Sequence, residues 1–484
     1  MRGDVASMKA LLKDRADPNE RGQFGTPALH WLVHTDDIEG VQLLLRSGAD
    51  ANSLTERDVS ALSLAIANGN AGMVDLLLRA GANPDRAEPA GETLLMKACE
   101  VGVLPVVEML LQRGVDVNFR ERSFGQTALM FAARAGHADV VATLLARGAQ
   151  ANVATNAGTT PAFIRPNSQR GFGFGLGIIR GGVPADRGRR EPTPGGLTPL
   201  HYAARHDHVE VAKLLLKAGA KIDALDPNGI TPLLMAIGSA QAAVSQFLIE
   251  QGADVNVQDW YGRTPLWEAV NVRNLYVHNG TFKNYIDRGP MLPLIRTLLR
   301  TGANVNARTK ETPPFRHFLL ETTGSLEWVD FTGQTPFLTA ALAGDVTVMK
   351  LLLESGADPK INTFQGTSPL MAAAGVNWVV SQTWTEGPEQ LLEAVKLCHS
   401  LGMDVNQKNS MGVTALHGAA NRGSDDIIRF LVEKGADLTA QDNEHRSALD
   451  WANGVFLATH APEPKPSSIA LITALLKSQG KEIR

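Results

Sequence analysis

Three histidines, His201, His206 and His208, stand within one short stretch of the chain. Helical neighbours share a face and imidazole nitrogens ligate zinc, so a metal site is the first chemistry to weigh. No convincing further ligands accompany them, and it is the ligand set that decides a metal. The run Gly171-Phe172-Gly173-Phe174-Gly175-Leu176-Gly177 superficially resembles a phosphate-wrapping loop. It lacks a Gly-Lys-Ser or Gly-Lys-Thr ending and a strand-then-helix setting, so it reads as a flexible loop. Arg165, Arg170, Arg180, Arg187, Arg189 and Arg190, against Asp186, make that stretch basic. Such charge suits a solvated loop or a contact with an acidic partner. Arg2-Gly3-Asp4 matches an adhesive tripeptide but reads as the turn before a helix. No Ser-His-Asp, Cys-His or paired-carboxylate arrangement assembles from neighbouring residues. The expectation is a non-catalytic chain with no metal and no cofactor.

The chain has 484 residues, 44% hydrophobic and 20% charged, the balance of a folded protein. No apolar run approaches the roughly eighteen residues of a membrane-spanning helix. A formal charge of -4 is small for this length and argues against a general grip on nucleic acid. Two cysteines, Cys99 and Cys398, are too few and too far apart for a disulfide framework or a cysteine-pair zinc site. Val5–Lys13 reads as the second helix of a unit whose first helix is missing, so the chain is expected to start inside a unit. A cytoplasmic location follows by default, or export if a signal was lost with that start.

These residues must be positioned by a repeat. Leu29, Leu62, Leu95, Leu129, Leu200, Leu233, Leu266, Phe337, Leu370, Leu416 and Leu449 recur at gaps of 33, 33, 34, 71, 33, 33, 71, 33, 46 and 33 residues. That is a 33-residue period interrupted by insertions. Around Leu200 the block reads Thr198-Pro199-Leu200-His201. A second signature follows each block, as in Gly48-Ala49-Asp50-Ala51-Asn52, Gly252-Ala253-Asp254-Val255-Asn256 and Gly402-Met403-Asp404-Val405-Asn406. Thr198 suits a helix cap and Pro199 the first turn, where its missing N–H costs nothing. Leu214–Leu216 face a core, Gly219 ends the second helix in a left-handed turn, and Asp and Asn suit the turn after it. One such unit cannot bury both of its apolar faces, so stability must come from stacking.

Both signatures resemble those of the ankyrin repeat, and the resemblance covers nearly the whole chain. It implies an all-α solenoid of stacked helix-turn-helix units with β-hairpin loops, wound into a curved superhelix. The array, read as about twelve units, is similar in length and inserts to bacterial ankyrin proteins. In that family the histidine of the block is structural, which covers His30, His201 and His417. His137 and His208 stand where these repeats carry His after Gly.

The expected organisation is N-terminal repeats over 1–156, a Gly/Arg-rich loop insert over 157–196 and middle repeats over 197–306 with an insert at 273–291. An aromatic insert follows over 307–332, then C-terminal repeats over 333–446 with an insert at 376–389, and a capping repeat over 447–484. The inserts carry Tyr276, Tyr285, Trp328, Phe331, Trp378 and Trp384. Long loops in a compact array are functional or disordered, and Trp and Tyr anchor interfaces. The plainer alternative is that each insert folds back onto its own repeat.

By the resemblance, partners lie along the groove formed by the first helices and the hairpins. The block register puts Lys97, Glu100, Phe131, Arg134, Tyr202, Arg205, Glu268, Asn421 and Arg422 there. The reading is a monomeric, non-catalytic scaffold that binds a protein partner, without nucleic-acid binding or a membrane span. The rival is a receptor holding a small molecule or peptide under the aromatic inserts.

Overall fold

The computed structural model describes residues 5–22, 25–89, 91–158, 193–274, 289–311, 332–378, 385–455 and 463–481. Most of the Gly/Arg-rich insert, and the central parts of the inserts at 273–291, 307–332 and 376–389, lie outside them. Among the described residues the chain is all-α, with twenty-three helices. The first, α1 (Val5–Lys13), has no described partner, and the other twenty-two form eleven consecutive pairs. The pairs are α2 (Ala28–His34) with α3 (Ile38–Arg46), α4 (Ala61–Ala67) with α5 (Ala71–Arg79), α6 (Leu94–Val101) with α7 (Leu104–Gln112), and α8 (Ala128–Ala135) with α9 (Ala138–Ala146). They continue as α10 (Pro199–Arg205) with α11 (Val209–Lys217), α12 (Pro232–Gly238) with α13 (Ala242–Glu250), α14 (Pro265–Arg273) with α15 (Met291–Arg300), and α16 (Pro336–Ala343) with α17 (Val346–Glu354). The last are α18 (Pro369–Ala374) with α19 (Pro388–Ser400), α20 (Ala415–Arg422) with α21 (Asp425–Glu433), and α22 (Ala448–Asn453) with α23 (Pro466–Ser478).

The described residues fall into two compact units, the first ending at Pro227 and the second beginning at Asn228. In the first, α2, α4, α6, α8 and α10 pack one on the next as an inner row, with α5, α7, α9 and α11 behind. In the second, α12, α14, α16, α18, α20 and α22 make the same kind of row. The core of each row is the recurring leucine position. All eleven residues from Leu29 to Leu449 are at most 8% exposed. Truncating one such leucine to alanine costs about 2–5 kcal/mol, because a close-packed stack cannot collapse around the gap.

Local chemistry starts and stops each helix. Leu234 N–H donates to the Thr231 hydroxyl oxygen at 3.1 Å, and Leu338 N–H to that of Thr335 at 3.2 Å. These caps satisfy backbone donors that a first helical turn leaves open. Second helices end at glycines: Gly48, Gly81, Gly114 and Gly148 have φ between 84° and 95°. Nothing lies within 4 Å of where their side chains would stand, so backbone conformation rather than space demands glycine there.

Two ladders tie neighbouring pairs together at the loop edge. Asn52 donates to Gly81 O at 2.9 Å and accepts from Asn83 N–H at 2.8 Å. Asn118, Asn152, Asn256, Asn306 and Asn406 repeat this two-handed grip on the next loop. At the hairpin tips, backbone N–H groups of Trp260, Lys310, Phe364, Ser410 and Asn443 donate to Asn228, Tyr261, Thr332, Gln365 and Met411 carbonyls at 2.7–3.0 Å. Edge loops that would otherwise be loose are thereby held in register.

Candidate partner-binding surface

The groove positions are fixed by helix geometry. Residues one and four places after the fourth residue of the block lie on the inner helix's free face, three apart along one side. In the first unit these side chains form a connected row. The Lys97 ammonium donates to the Ser63 hydroxyl of the preceding inner helix at 2.6 Å and sits 4.0 Å from Glu88. Glu100 pairs with Arg134 on the next helix at 2.7 Å, and the Arg134 guanidinium lies 4.8 Å from the Phe131 ring centre. The Tyr202 hydroxyl accepts from Gln126 Nε2 at 2.8 Å. Glu100 and Arg205 are exposed, and Lys97 and Tyr202 half-buried. Phe131 is enclosed at 2% exposure and forms the floor of the row.

Trp31 was not singled out from the sequence. It follows His30 in the same register as Lys97, Phe131 and Tyr202, and it is 54% exposed. The register alone would have found it. Hairpin tips add apolar residues that sequence reading also passed over: Phe124 at 67%, Leu225 at 58%, Trp260 at 49% and Phe364 at 59% exposure. Arg308 lies 4.3 Å over the Phe364 ring and donates to Asn362 O at 2.7 Å.

In the second unit the same register is largely closed. Glu268 is 2% exposed and meets Arg263, from its own hairpin, at 3.6 Å. Arg263 also pairs with Asp259 at 2.7 Å. Burial pushes the Asp259 carboxyl up, and the Arg263 guanidinium only partly offsets this. Asn421 is half-buried, and Arg422 donates to Ala373 O at 3.0 Å. Of the insert aromatics, Trp378 is half-buried against Leu338, Leu342 and Ala372. Tyr276, Tyr285, Trp328, Phe331 and Trp384 lie outside the described residues.

The block histidines act as crosslinks. His417 Nδ1 accepts from Thr414 N–H at 3.1 Å, which leaves Nε2–H to donate to Arg446 O at 3.2 Å. Burial pushes its pKa down, so the ring stays neutral and keeps both bonds. His206 and His208 stack with centres 6.1 Å apart, and His208 Nε2 meets Arg134 O at 3.0 Å, a link between neighbouring pairs. Among the described residues no cluster of His, Cys, Asp or Glu is arranged to hold a metal. Both cysteines are buried, and burial pushes the Cys398 thiol up to about 12 and Cys99 higher still. No helix among the described residues is long and apolar enough to cross a membrane. One cavity of about 260 Å³ opens beside Arg273, Asp345, Lys350 and Glu393, and another of about 270 Å³ beside Asn52, Asn83 and Arg86. Both are open and lined largely by polar groups.

Comparison with known proteins agrees with this geometry. A family model described as ankyrin repeats, in three copies, matches residues 1–88, 62–155 and 387–455. Models of the single ankyrin repeat match 195–227, 228–260 and 332–361. Similar proteins include alpha-latrocrustotoxin-Lt1a of Latrodectus tredecimguttatus, 29% identical over 123 residues, which are 25% of this chain and 8% of the toxin. NF-kappa-B inhibitor alpha of Sus scrofa is 31% identical over 125 residues, 25% of this chain and 37% of the inhibitor. Ankyrin repeat domain-containing protein 63 of Homo sapiens is 36% identical over 125 residues, 25% of this chain and 30% of the relative. The matches thus span well under half of each relative's length. These relatives are animal proteins and lend nothing to the bacterial likeness. The paired helices, the buried block leucines, the asparagine grips and the matched segments together place this chain in the ankyrin-repeat family.

Proposed function

We propose that the chain is a non-catalytic scaffold that binds a protein partner along the inner-helix face of its first unit, with the hairpin tips as the rim. The observation that carries this reading is the row Trp31, Lys97, Glu100, Arg134, Tyr202 and Arg205. These side chains stand at two adjoining registers on α2, α6, α8 and α10, exposed or half-buried, and Lys97, Glu100, Arg134 and Tyr202 are braced by neighbouring side chains. An exposed Trp and a half-buried Tyr, with Arg on the same frame, are the residue types that dominate binding energy. The frame holds them in place before a partner arrives, which lowers the entropy cost of association. Relatives support the reading at the level of class. NF-kappa-B inhibitor alpha bears in its name the protein it restrains. That mode of action, though not that partner, is what the likeness suggests here.

The test is affinity capture from native lysate by the intact chain, repeated with Trp31→Ala, Tyr202→Ala and Arg205→Ala. Hot-spot truncation costs about 2 kcal/mol or more, so each captured partner should fall by about thirtyfold in affinity while the melting temperature stays within a few degrees. Undiminished capture by all three variants would remove the groove from the proposal. A small ligand that co-purifies in place of any protein would favour a receptor instead.

A further inference from the structure

The second unit's groove is occupied by the chain itself. After α18 the backbone turns through Gly375, at φ +124°, and Asn377, at φ +71°. Val376 N–H donates to Met371 O at 2.9 Å, and Trp378 N–H to Gly375 O at 3.2 Å. This turn lies across the face of α20 that would otherwise be open. A side chain on Gly418 would stand 2.6 Å from Val376 N, and one on Gly375 would stand 2.6 Å from Gly418 O. Glycine at both places is what lets the segment seat. Val376 is wholly buried, and Trp378 covers Leu342 and Ala372, both groove positions by register.

Beneath this plug lies an unsatisfied group. The Arg422 guanidinium is 5.4 Å from the Trp378 ring centre and gives one nitrogen, Nη1, to Ala373 O at 3.0 Å. Its Nε and Nη2 are fully enclosed with no hydrogen-bond partner. Those two nitrogens form the side edge of the guanidinium, the fork that matches a carboxylate's two oxygens. Burial lowers the Arg422 pKa only to about 9, so the group remains a cation at neutral pH. An enclosed cation without a counter-charge is destabilising, and its one bond, to the Ala373 carbonyl in the last turn of α18, leaves that charge uncompensated.

We propose that Arg422 anchors a carboxylate-binding site in the second unit's groove, held shut by Val376–Trp378. A peptide carboxylate takes the Nε and Nη2 fork as Trp378 swings off the guanidinium face. This deepens the scaffold reading and rests on it for the nature of the partner. The ligand chemistry is a carboxylate, from an acidic side chain or from a chain terminus.

Thermal melting of the full chain, with sodium acetate against sodium chloride at matched ionic strength, tests the anchor. Trp378→Ala opens the site, and the double variant Trp378→Ala with Arg422→Met removes the fork. Acetate should raise the melting temperature of Trp378→Ala by a few degrees more than that of the double variant. Equal acetate shifts in the single and double variants would overturn the proposal. Should Trp378→Ala fail to fold, the Arg422 Nε–H resonance of the parent, assigned by its loss in Arg422→Lys, reads the same event. It should move with acetate and stay with chloride, and a static resonance would overturn the anchor. A peptide with a free carboxyl terminus and an amidated one with an internal glutamate separate the two sources, and binding of neither rejects both. A null result here leaves the capture experiment on the first unit untouched.

Discussion

His30, His201 and His417 hold the same place in their helices, and the capping residue three places earlier decides what each Nδ1 can do. Thr198 offers both its N–H, at 3.2 Å, and its hydroxyl, at 2.9 Å, to His201. Thr414 does the same for His417. Before His30 the capping residue is Pro27, which has neither an N–H nor a hydroxyl, and His30 Nδ1 is buried without a partner. Pro27→Thr supplies both groups to a backbone already in the extended region that Thr adopts, at φ -65° and ψ 149°. It should raise stability by about 1 kcal/mol, read as a higher midpoint in urea unfolding. A pair of aspartates shows the same dependence on one neighbour. Asp259 and Asp442 each receive the backbone N–H and the guanidinium of an arginine four places on. Burial raises the Asp259 carboxyl, and nearby Glu268 adds to the rise. At the register of Glu268, the later helix α22 has Trp451, whose indole donates to Asp442 at 2.9 Å. Burial pushes Asp442 up too, but the Arg446 and Trp451 donors together hold it below the usual carboxylate range.

At the scale of the loop and the helix pair, the asparagine grips set the spacing. Asn118 donates to Gly148 O at 3.0 Å and accepts from Gln150 N–H at 2.9 Å. Asn118→Asp keeps the acceptor, loses the donor and places a carboxylate against a carbonyl. The expected cost is about 1 kcal/mol, seen as a lower urea midpoint with an unchanged slope. The pairs themselves were legible in the sequence, because the leucine of each block is buried by two neighbours built to the same pattern. Which inner-helix side chains stay open was legible only where no other stretch of chain crosses that face. Glu268 shares its register with Lys97 and Tyr202, yet Arg263 reaches it from the adjoining hairpin and closes it in. Arg422 likewise lies under a segment that begins well before it in sequence. Periodicity encodes which face of a helix is inward, but not what another stretch of chain lays across that face.

Within each unit, among the described residues, each pair packs chiefly on its neighbours, so stability is a sum of local terms and nearest-neighbour contacts. Leu129→Ala should therefore act locally. Amide exchange should accelerate through α6, α8 and α10, which flank or contain the lesion, and stay unchanged in α20 and α22. Uniform acceleration along the chain would reveal cooperativity that nearest-neighbour packing does not supply. The asparagine grips also show how this frame treats its excursions. Asn152 takes hold of Gly219 and Lys221, 67 and 69 positions on, where Asn52 spans 29 and 31. The added residues leave and rejoin at one rung, and lengthening a loop raises its closure cost only logarithmically, by about 0.6 kcal/mol per doubling. What hangs from that rung is thus free to diverge, shrink or be replaced, and two proteins with interchangeable frames can acquire unrelated tastes in partners.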